Sequence, residues 1–283
     1  MELSIITVTW NSEKKITEQI RSAIDACQGI MYEQIVIDNA STDQTVALIK
    51  KNLPNVRLIE NKENAGFGAA NNQGVKISRG EFVLFLNPDM RLESGSLLKI
   101  LQWMREKKDV GIVSCKLIDA DGKFNWEAGP RRFPKVWEQV CLLLKLPHIF
   151  PSLLNNYLMK DFNPDLEQGV DSVRGSFMLV RRELIDKLGW GFDPRYFFWF
   201  EDVDLCREAK RLGFKVVYTP IISCVDYFGQ SFKQRTSIWK QKVFSRSMLT
   251  YFQKWEPWYC WIWIAIFRPV GIFLTWVISR LSS

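Results

Sequence analysis

The stretch Phe82-Val-Leu-Phe-Leu-Asn-Pro-Asp89 decides the fold, because five consecutive apolar residues run directly into a polar turn. A short apolar run of this kind is typical of a strand that is buried on both faces of a parallel sheet. Similar segments alternate with helical patterns around it. The predicted strands are residues 5–9, 34–38, 56–60, 82–86 and 110–115, and the predicted helices are 13–27, 43–52, 66–78 and 94–106. The sequence therefore predicts an α/β fold with helices on both faces of the sheet.

Polar side chains follow these strands at their carboxyl ends. In open α/β sheets the ligand binds in the crevice beyond those ends. We therefore expect the functional site at residues 9–11, 38–41, 60–64 and 87–89. The sequence contains no G-x-x-x-x-G-K-[ST] motif, and the stretch from Gly66 to Asn71 lacks the third glycine of a dinucleotide fingerprint. Neither a P-loop protein nor an NAD enzyme is favoured.

The pattern changes in the second half of the chain. Residues 119–169 form a long irregular excursion that contains five prolines. Loops of this length in compact domains are usually lids or binding loops. The elements predicted after it are a strand at 172–180, helices at 181–188 and 202–212, an aromatic segment at 196–200, and strands at 214–218 and 221–226.

Composition limits the chemistry that the chain can perform. The 283 residues carry a formal charge of +7, are 47% hydrophobic and include a single histidine, His148. This excludes a zinc site with two imidazoles, so carboxylates must do most of the ionisable chemistry. The basic residues are scattered and form no recognised nucleic-acid motif, so we expect no nucleic-acid partner. Glu2 stands where a secretory signal carries basic residues, which predicts a cytoplasmic chain.

The C-terminal segment, residues 232–283, predicts a helical tail of different character. Basic residues lead into the apolar stretch 258–278, which is long enough to cross a bilayer. Arg268 and Pro269 at its centre disfavour a full span, whereas tryptophans near both ends and the basic approach favour contact with an anionic membrane surface. One alternative is that the apolar stretch spans the membrane. Another is that it packs in the protein core or in a homo-oligomer interface. The basic residues are Lys233, Arg235, Lys240, Lys242, Arg246 and Lys254.

Two carboxylates at strand ends are candidates for ligand binding. Asp89, in the turn Asn87-Pro88-Asp89, could hold a divalent cation whose other ligands are diphosphate oxygens, although an ordinary turn aspartate is the alternative. Asp38 could accept a hydrogen bond from the imide N–H of uracil or thymine. The following Ser41 and Asp43 are better explained as caps of the next helix.

Two further stretches could complete a site. Residues 64–72 open a helix with side chains small enough for a sugar to approach closely, or for tight helix packing. Glu201, Asp202 and Asp204 begin a helix directly after the aromatic segment, which offers a stacking surface for a sugar ring. One acid could cap that helix, but three acids exceed what capping requires.

Five motifs in this order resemble those of family 2 glycosyltransferases, and within that family most of all bacterial rhamnosyltransferases. They are residues 5–11 (IITVTWN), 36–43 (VIDNASTD), 63–71 (ENAGFGAAN), 85–89 (FLNPD) and 200–207 (FEDVDLCR). The resemblance implies the GT-A fold, a Rossmann-like, mixed and mainly parallel sheet with helices on both faces. The GT-A domain would comprise a nucleotide-binding half at 1–115 and an acceptor half at 116–231. The membrane-associating helical tail at 232–283 would lie outside this domain.

The resemblance also implies a nucleotide-sugar site and a metal. The residues that would bind the nucleotide-sugar are Thr9, Asn11, Asp38, Asn64, Gly66, Asn87 and Asp89. Asp89 would bind Mg²⁺ or Mn²⁺ as the one carboxylate left of the family's Asp-x-Asp motif. Relatives often carry a histidine before a Gly-x-Ser, and here Asp226 precedes Gly229-Gln-Ser231. Asp226 could be a second metal ligand or a structural residue.

The function implied by the resemblance is an inverting transfer of a sugar to a hydroxyl group. Asp202 would be the catalytic base, and Glu201 would orient or bind the acceptor. The expected donor is dTDP-rhamnose, and the expected acceptor is a polyprenyl-diphosphate-linked saccharide at the inner face of the plasma membrane, in cell-wall or surface-polysaccharide synthesis. The alternatives are a UDP-sugar donor, a non-catalytic nucleotide-sugar-binding or membrane module, and a nucleotidyltransferase.

Overall fold

A computed structural model describes residues 1–53, 55–227 and 235–281. Within these ranges the strands are β1 (Leu3–Thr9), β2 (Tyr32–Asp38), β3 (Arg57–Glu60), β4 (Phe82–Leu86), β5 (Met90–Leu92), β6 (Val110–Ile118), β7 (Gln168–Gly169), β8 (Phe177–Arg181) and β9 (Lys215–Asp226). The helices are α1 (Ile16–Ala26), α2 (Thr45–Asn52), α3 (Phe67–Ile77), α4 (Ser96–Glu106), α5 (Val136–Leu143), α6 (Arg182–Leu188), α7 (Glu201–Arg211), α8 (Ser237–Trp255) and α9 (Trp258–Leu281).

The strands form one mixed sheet in the order β3-β2-β1-β4-β8-β6-β9-β5, with β7 paired to β9. The first four strands of this order are parallel, as the alternating pattern predicts. The prediction differs at the next position, because β8 lies antiparallel between β4 and β6. Residues 177–180 of β8 are fully buried and apolar, which is typical of a strand inside the sheet with both of its faces covered.

Helices cover both faces of the sheet, as predicted. On one face Ala23 of α1 and Ile100 of α4 belong to a buried apolar cluster with the strands. On the other face Ala70 of α3, Leu184 of α6 and Leu205 of α7 belong to a second cluster. The carboxyl ends of β1, β2 and β4 therefore remain available between the helix layers for polar loops.

The second half of the chain contains two departures from the predicted elements. The excursion 119–169 includes α5, in which Glu138 accepts a hydrogen bond from the backbone of Lys135 at 3.1 Å. The strands predicted at 214–218 and 221–226 are one strand, β9. The pairing of β9 with β6 shifts register where Pro220 lies, and such an irregularity tolerates a residue that has no N–H to donate.

The C-terminal helices pack against the rest of the protein. Met248, Tyr251 and Phe252 of α8 are buried in one cluster with Phe200 and Val203 at the start of α7. A Cβ at Gly271 of α9 would lie 2.8 Å from the backbone oxygen of Leu143 in α5, so these two helices touch closely. The predicted domain boundary at residues 231 and 232 lies outside the described residues.

Candidate active site

The carboxyl ends of β1 and β2 bring Asn11 and Asp38 together through Ser41. The Asp38 carboxylate accepts hydrogen bonds from the backbone N–H of Ser41 at 2.9 Å and from its hydroxyl at 2.5 Å. The Ser41 hydroxyl in turn accepts from the backbone N–H of Asn11 at 2.8 Å. Asn11 has a φ of 49°, a conformation that turns the chain sharply at the strand end. This network fixes the two loops that would face a nucleotide base.

The predicted caps of α2 behave differently from each other. Asp43 accepts a hydrogen bond from the backbone N–H of Thr45 at 3.0 Å, at the first residue of α2. Ser41 instead serves the Asn11–Asp38 network. Thr9 is fully buried, and within the described structure its hydroxyl has no hydrogen-bond partner. Its backbone oxygen accepts from the N–H of Asn39 at 2.8 Å, so Thr9 contributes to the loop geometry through its main chain.

Asn39 organises the next loop, a role that we did not predict. Its side-chain N–H groups donate to Asn64 Oδ1 at 3.2 Å and to the backbone oxygen of Gly66 at 3.1 Å. Its side-chain oxygen accepts from Asn61 at 3.0 Å and from the backbone N–H of Ala65 at 3.2 Å. The available signal was its position directly after the strand-end Asp38. Asn64 is thereby held beside the carboxyl end of β2.

Gly66 is explained by packing against the aromatic segment. Its φ is 88°, and a Cβ there would lie 2.5 Å from the backbone oxygen of Phe197. That same oxygen accepts from the N–H of Phe67 at 2.8 Å. The tight-packing alternative therefore accounts for Gly66, and α3 is fixed to the segment that leads into α7.

Asp89 and Asp226, the two predicted metal ligands, lie at one end of the β5–β9 ladder, where Asp89 directly precedes β5 and Asp226 is the last residue of β9. Met90 pairs with Asp226 in this antiparallel ladder, and Tyr227 donates its N–H to the backbone oxygen of Asp89 at 3.1 Å. Asp89 is 9% exposed and Asp226 is 5% exposed. Among the residues that the structure describes, no group of three or more histidines, cysteines or acids is placed to hold a metal ion. Gly229 and Ser231, quoted with Asp226 above, lie outside that part of the chain.

Two buried carboxylates at one end of the β5–β9 ladder would suit a hard divalent cation. Mg²⁺ and Mn²⁺ prefer oxygen ligands and commonly take several of them from substrate phosphates. The donor set of Asp89 and Asp226 therefore fits a cation that arrives with, or is completed by, a diphosphate. It does not resemble a closed, all-protein structural site.

Glu201 and Asp202 are the first residues of α7 and lie beside each other with little exposure. The Asp202 carboxylate accepts from the backbone N–H of Gly175 at 3.2 Å and from that of Val203 at 2.8 Å. Glu201 is 4% exposed, and its Oε2 has no partner in the described ranges. Burial, and after it the neighbouring Asp202 charge, raises the pKa of Glu201 well above its ordinary value.

The backbone before this pair is strained. Trp199 and Phe200 have φ values of 67° and 69°, which residues with side chains rarely adopt. Each such conformation costs about 1–2 kcal/mol, and it persists only where surrounding contacts hold it. The Ser247 hydroxyl of α8 donates to the backbone oxygen of Phe198 at 2.7 Å and supplies one of these contacts.

Asp204, the third acid of this motif, has a structural environment. It is completely buried and accepts hydrogen bonds from Lys254 at 2.7 Å, from the Trp255 indole at 2.6 Å and from the Tyr196 hydroxyl at 3.2 Å. Lys254 also contacts Asp193 at 3.0 Å. The acid therefore anchors α8 to α7. Lys254, expected among the basic residues that approach a membrane, is turned into the protein instead.

A short segment before β8 connects the two parts of the site. The backbone oxygen of Ser176 accepts a hydrogen bond from the backbone N–H of Asn87 at 2.9 Å. The backbone N–H of the preceding Gly175 donates to the Asp202 carboxylate. The turn that carries Asp89 and the helix that carries Asp202 therefore meet at residues 175–176. The candidate cation ligands Asp89 and Asp226 are thus connected through this segment to the buried acid pair, an arrangement that would suit transfer of a group from a nucleotide.

Comparison with known proteins identifies the class. The sequence model of glycosyl transferase family 2 matches residues 4–189, so the chain belongs to this family and is a glycosyltransferase. The motif with Glu201 and Asp202 lies beyond the matched range. The chain is 27% identical over 236 residues to the N-acetylglucosaminyl-diphospho-decaprenol L-rhamnosyltransferase of Mycobacterium tuberculosis, covering 77% of this chain and 73% of that protein. It is also 27% identical over 169 residues to Rhamnosyltransferase WbbL of Escherichia coli, covering 57% and 61% of the two chains.

Solved structures confirm the predicted GT-A fold. The mannosyltransferase PcManGT of Pyrobaculum calidifontis, in complex with GDP-Man and Mn²⁺, superposes with a TM-score of 0.60 and 17% identity over 98% of this chain and 73% of that one. S. aureus TarS 1–349 superposes with a TM-score of 0.56 and 18% identity over 89% and 72%. The predicted family and its resemblance to rhamnosyltransferases are likewise confirmed.

Proposed function

We propose that this protein transfers L-rhamnose from dTDP-rhamnose, with inversion, to a hydroxyl group of a polyprenyl-diphosphate-linked saccharide. The name of the Mycobacterium tuberculosis relative supports both the rhamnosyl group and the lipid-linked acceptor. The name of the Escherichia coli relative supports the rhamnosyl group. A UDP-sugar is the alternative donor, because Asp38 would accept the imide N–H of uracil as readily as that of thymine. The transfer belongs to cell-wall or surface-polysaccharide synthesis.

The buried Glu201–Asp202 pair carries this proposal. Asp202 takes the proton of the acceptor hydroxyl, whose oxygen forms a bond to the anomeric carbon while the bond from that carbon to the nucleoside diphosphate breaks. Attack from the face opposite to the leaving group inverts the configuration. The Gly175 N–H fixes one Asp202 oxygen, and the raised pKa of Glu201 favours the protonated form of that neighbouring acid. Asp202 is therefore the member of the pair that we assign as the base.

The remaining site residues hold the donor. Asn11 and Asp38 fix the loops for the base and ribose, and the Asn39 network positions Asn64 along the nucleotide-sugar. Asp89 and Asp226 would hold Mg²⁺ or Mn²⁺, which would supply positive charge to neutralise the departing diphosphate. Asn87 keeps Asp89 in register with residues 175–176 through its backbone bond to Ser176.

Helix α9 places the enzyme on the membrane surface. Its length and mean hydropathy would allow it to cross a bilayer, and 17% of its most apolar window is buried. One side, with Ile264 and Gly271, packs inward, and Arg268 donates to the Ser245 hydroxyl of α8 at 3.3 Å. The outer side is apolar and is 40% to 60% exposed at Tyr259, Trp263, Ile266, Val270 and Phe273. A helix attached along its inner side lies in the membrane interface and makes the enzyme peripheral at the cytoplasmic face.

Donor-dependent release of nucleoside diphosphate tests the reaction. Wild type and Asp202→Asn are compared with dTDP-rhamnose, UDP-sugars and GDP-mannose, each with Mg²⁺ or Mn²⁺ and a synthetic polyprenyl-diphosphate sugar. We expect release from dTDP-rhamnose, reduced about 10²-fold to 10⁴-fold in Asp202→Asn, because that is the usual contribution of a general base. Donor affinity in a binding titration should not change.

The exposed Asp186 of α6 provides the matched control, because Asp186→Asn makes the same chemical change away from the site. Equal activity of Asp202→Asn and Asp186→Asn would remove Asp202 as the base. Donor binding without turnover on any acceptor would instead favour a nucleotide-sugar-binding module. Release of pyrophosphate from a nucleoside triphosphate would identify a nucleotidyltransferase.

A further inference from the structure

Two arginines near the acid pair converge on one carbonyl group. Arg131 donates to the backbone oxygen of Glu127 at 2.9 Å, and Arg174 donates to the same oxygen at 3.3 Å. Two guanidinium groups that share one acceptor must lie next to each other. Their loops are also tied together, because Arg131 and Ser172 exchange backbone hydrogen bonds at 3.0 Å in each direction.

Neither guanidinium is paired with a carboxylate in the described part of the chain. No salt bridge among those residues includes Arg131 or Arg174. Arg131 is 6% exposed and donates to the backbone oxygens of Trp126, Gly129 and Pro130 as well, but its Nε has no partner in the described ranges. Arg131 is therefore a buried cation that no carboxylate contacts directly in the described ranges, and burying a charge in this way is costly.

The positive charge persists at neutral pH. Burial, and after it the charge of Arg174, lowers the pKa of Arg131 to about 10, which still leaves the group protonated. Arg174 is half-buried, and Glu127 provides its one hydrogen bond within the described ranges. Burial raises the pKa of the nearby Tyr157 hydroxyl, and the charges of Arg174 and Arg131 oppose this increase. The two arginines therefore form a cationic site without a salt bridge in the described ranges, and the charges of Glu127 and Asp202 act on Arg131 only from a longer distance.

The position of this site relates it to the acceptor. Arg174 directly precedes Gly175, whose N–H holds the Asp202 carboxylate. The acceptor hydroxyl has to reach Asp202, and in a sugar diphosphate the diphosphate lies one sugar ring away from that hydroxyl. Under the proposed function, the donor diphosphate would be bound through the cation that Asp89 and Asp226 would hold. Two guanidinium groups offer the planar, multiple donors that suit phosphate oxygens.

We infer that Arg131 and Arg174 form the subsite that binds the diphosphate group of the lipid-linked acceptor. This rests on the proposed function, which supplies the acceptor. The Arg131 guanidinium holds the loop 126–130 through hydrogen bonds to backbone oxygens, and its positive charge attracts the diphosphate. Arg174 has further N–H groups that can donate to the phosphate oxygens. The subsite would explain how one enzyme distinguishes a diphosphate-linked sugar from a free or neutral saccharide.

Steady-state kinetics of Arg174→Gln test this inference with two acceptors. One is the polyprenyl-diphosphate sugar, and the other is the same sugar as a neutral alkyl glycoside. We expect the KM for the diphosphate acceptor to rise about 10-fold to 100-fold, which is the loss of one to two charge-assisted hydrogen bonds. Turnover of the neutral glycoside should change little. An electrostatic effect of Arg174 on Asp202 would reduce both reactions equally and would contradict the inference.

The matched control is Arg21→Gln, which removes the same charge from the exposed surface of α1. A rise in the KM for the donor, without one for the diphosphate acceptor, would assign the arginines to the donor phosphates and overturn the inference. Equal KM values in Arg174→Gln and Arg21→Gln would also overturn it.

A binding experiment remains decisive if no acceptor is turned over. Inorganic pyrophosphate is titrated in EDTA into the wild-type chain, Arg174→Gln and Arg21→Gln, so that the cation site cannot contribute. Tighter binding to wild type and Arg21→Gln than to Arg174→Gln supports an anion subsite even where the reaction is different from the one proposed. Equal affinity in all three would show that the arginines form no such subsite.

Discussion

At the scale of single residues, the two acids at the start of α7 illustrate how burial separates chemically similar groups. Asp202 accepts hydrogen bonds from two backbone N–H groups, whereas Glu201 has a buried oxygen without a described partner. Burial, and after it the Asp202 charge, raises the pKa of Glu201. The sequence shows three acids close together, but only the fold determines which of them is buried without a described partner.

Replacing Glu201 with glutamine should therefore change stability more than catalysis. A raised carboxyl pKa contributes stability below the ordinary pKa of a glutamate, and this contribution is lost as the pH rises through the raised value. Glu201→Gln keeps the neutral form at every pH, so we expect its stability relative to wild type to increase between about pH 4.5 and about pH 8. Each unit of pKa shift corresponds to about 1.4 kcal/mol.

Urea unfolding at the two pH values measures this difference. Nucleoside diphosphate release by Glu201→Gln should stay within about 10-fold of wild type, far above Asp202→Asn. If the relative stability of Glu201→Gln were independent of pH, Glu201 would be ionised in the folded protein and the assignment of the two acids would be wrong.

Residue-level prediction was based on side chains that follow strands, and it could not reach contacts between segments that are distant in sequence. Asn11 and Asp38 were predicted from strand ends, and the structure joins them through Ser41. Arg131 and Arg174 were not predicted, because their relation depends on a carbonyl group in the irregular segment 119–169. Neither local periodicity nor a motif reports such a contact. Their roles and those of the other site residues stay predictions until they are measured.

At the scale of elements, α8 supports the helix that carries the acid pair. Lys254 reaches three carboxylates, Asp193 at 3.0 Å and Asp204 and Glu208 both at 2.7 Å. Its side chain is 13% exposed, and that of Asp204 is fully buried. The sequence placed Lys254 on a solvated or membrane-facing tail, because a charge run is usually exposed. Nothing in the local pattern shows that its partners lie on α7.

Lys254→Met should detach α8 from α7. The change keeps the length of the side chain but leaves Asp204 without its cation, and breaking a buried ion pair in this way costs about 3–5 kcal/mol. Urea unfolding should show that loss in the free energy of unfolding. Transfer activity should fall as well, because α8 also holds Phe198 through Ser247.

Lys50→Met is the matched control for this experiment. Lys50 pairs with Glu60 at 2.8 Å, but both side chains are about half exposed. Because such surface pairs contribute about 0–1 kcal/mol, we expect Lys50→Met to lower the free energy of unfolding by no more than that. Similar stabilities of the two variants would show that the α7–α8 contact does not support the fold.

At the scale of the whole molecule, the sequence predicted the elements that alternate regularly along the chain but not the strand pairs between distant segments. The alternating pattern of the first 115 residues specified β1 to β4 and their helices, and the structure confirms that arrangement. The position of β8 was not predictable, because an antiparallel insertion between β4 and β6 depends on pairing between segments that are far apart along the chain. Helix α5 was missed since prolines on both sides hide a short helical pattern.

The exposed face of α9 should govern membrane binding of the whole enzyme. Trp263→Glu and Phe273→Glu each place a charge where we propose an apolar side chain enters the interface. Burial of such a side chain contributes about 1.5–3 kcal/mol, so each variant should bind vesicles of mixed anionic and zwitterionic lipid at least about 10-fold more weakly in cosedimentation. Point substitutions are preferable to truncation, because Ile264 of α9 is completely buried.

Met31→Glu is the control, because Met31 is 66% exposed and precedes β2, away from the C-terminal helices. Turnover of a water-soluble acceptor should be equal in all these variants. Unchanged vesicle binding by Trp263→Glu and Phe273→Glu would refute the membrane role. A fall in particle size of the same variants in light scattering would assign α9 to a homo-oligomer interface instead.

The strand order also affects how the nascent polypeptide acquires its structure on the ribosome. Strand β4 ends at Leu86, but its outer neighbour β8 begins at Phe177, 91 residues later. At about 5–20 residues per second, translation takes roughly 5–20 seconds to cover that interval. During this time the open edge of β4 is available for pairing with other chains. We therefore expect heterologous production of this enzyme to improve with holdase chaperones that cover the unfinished sheet.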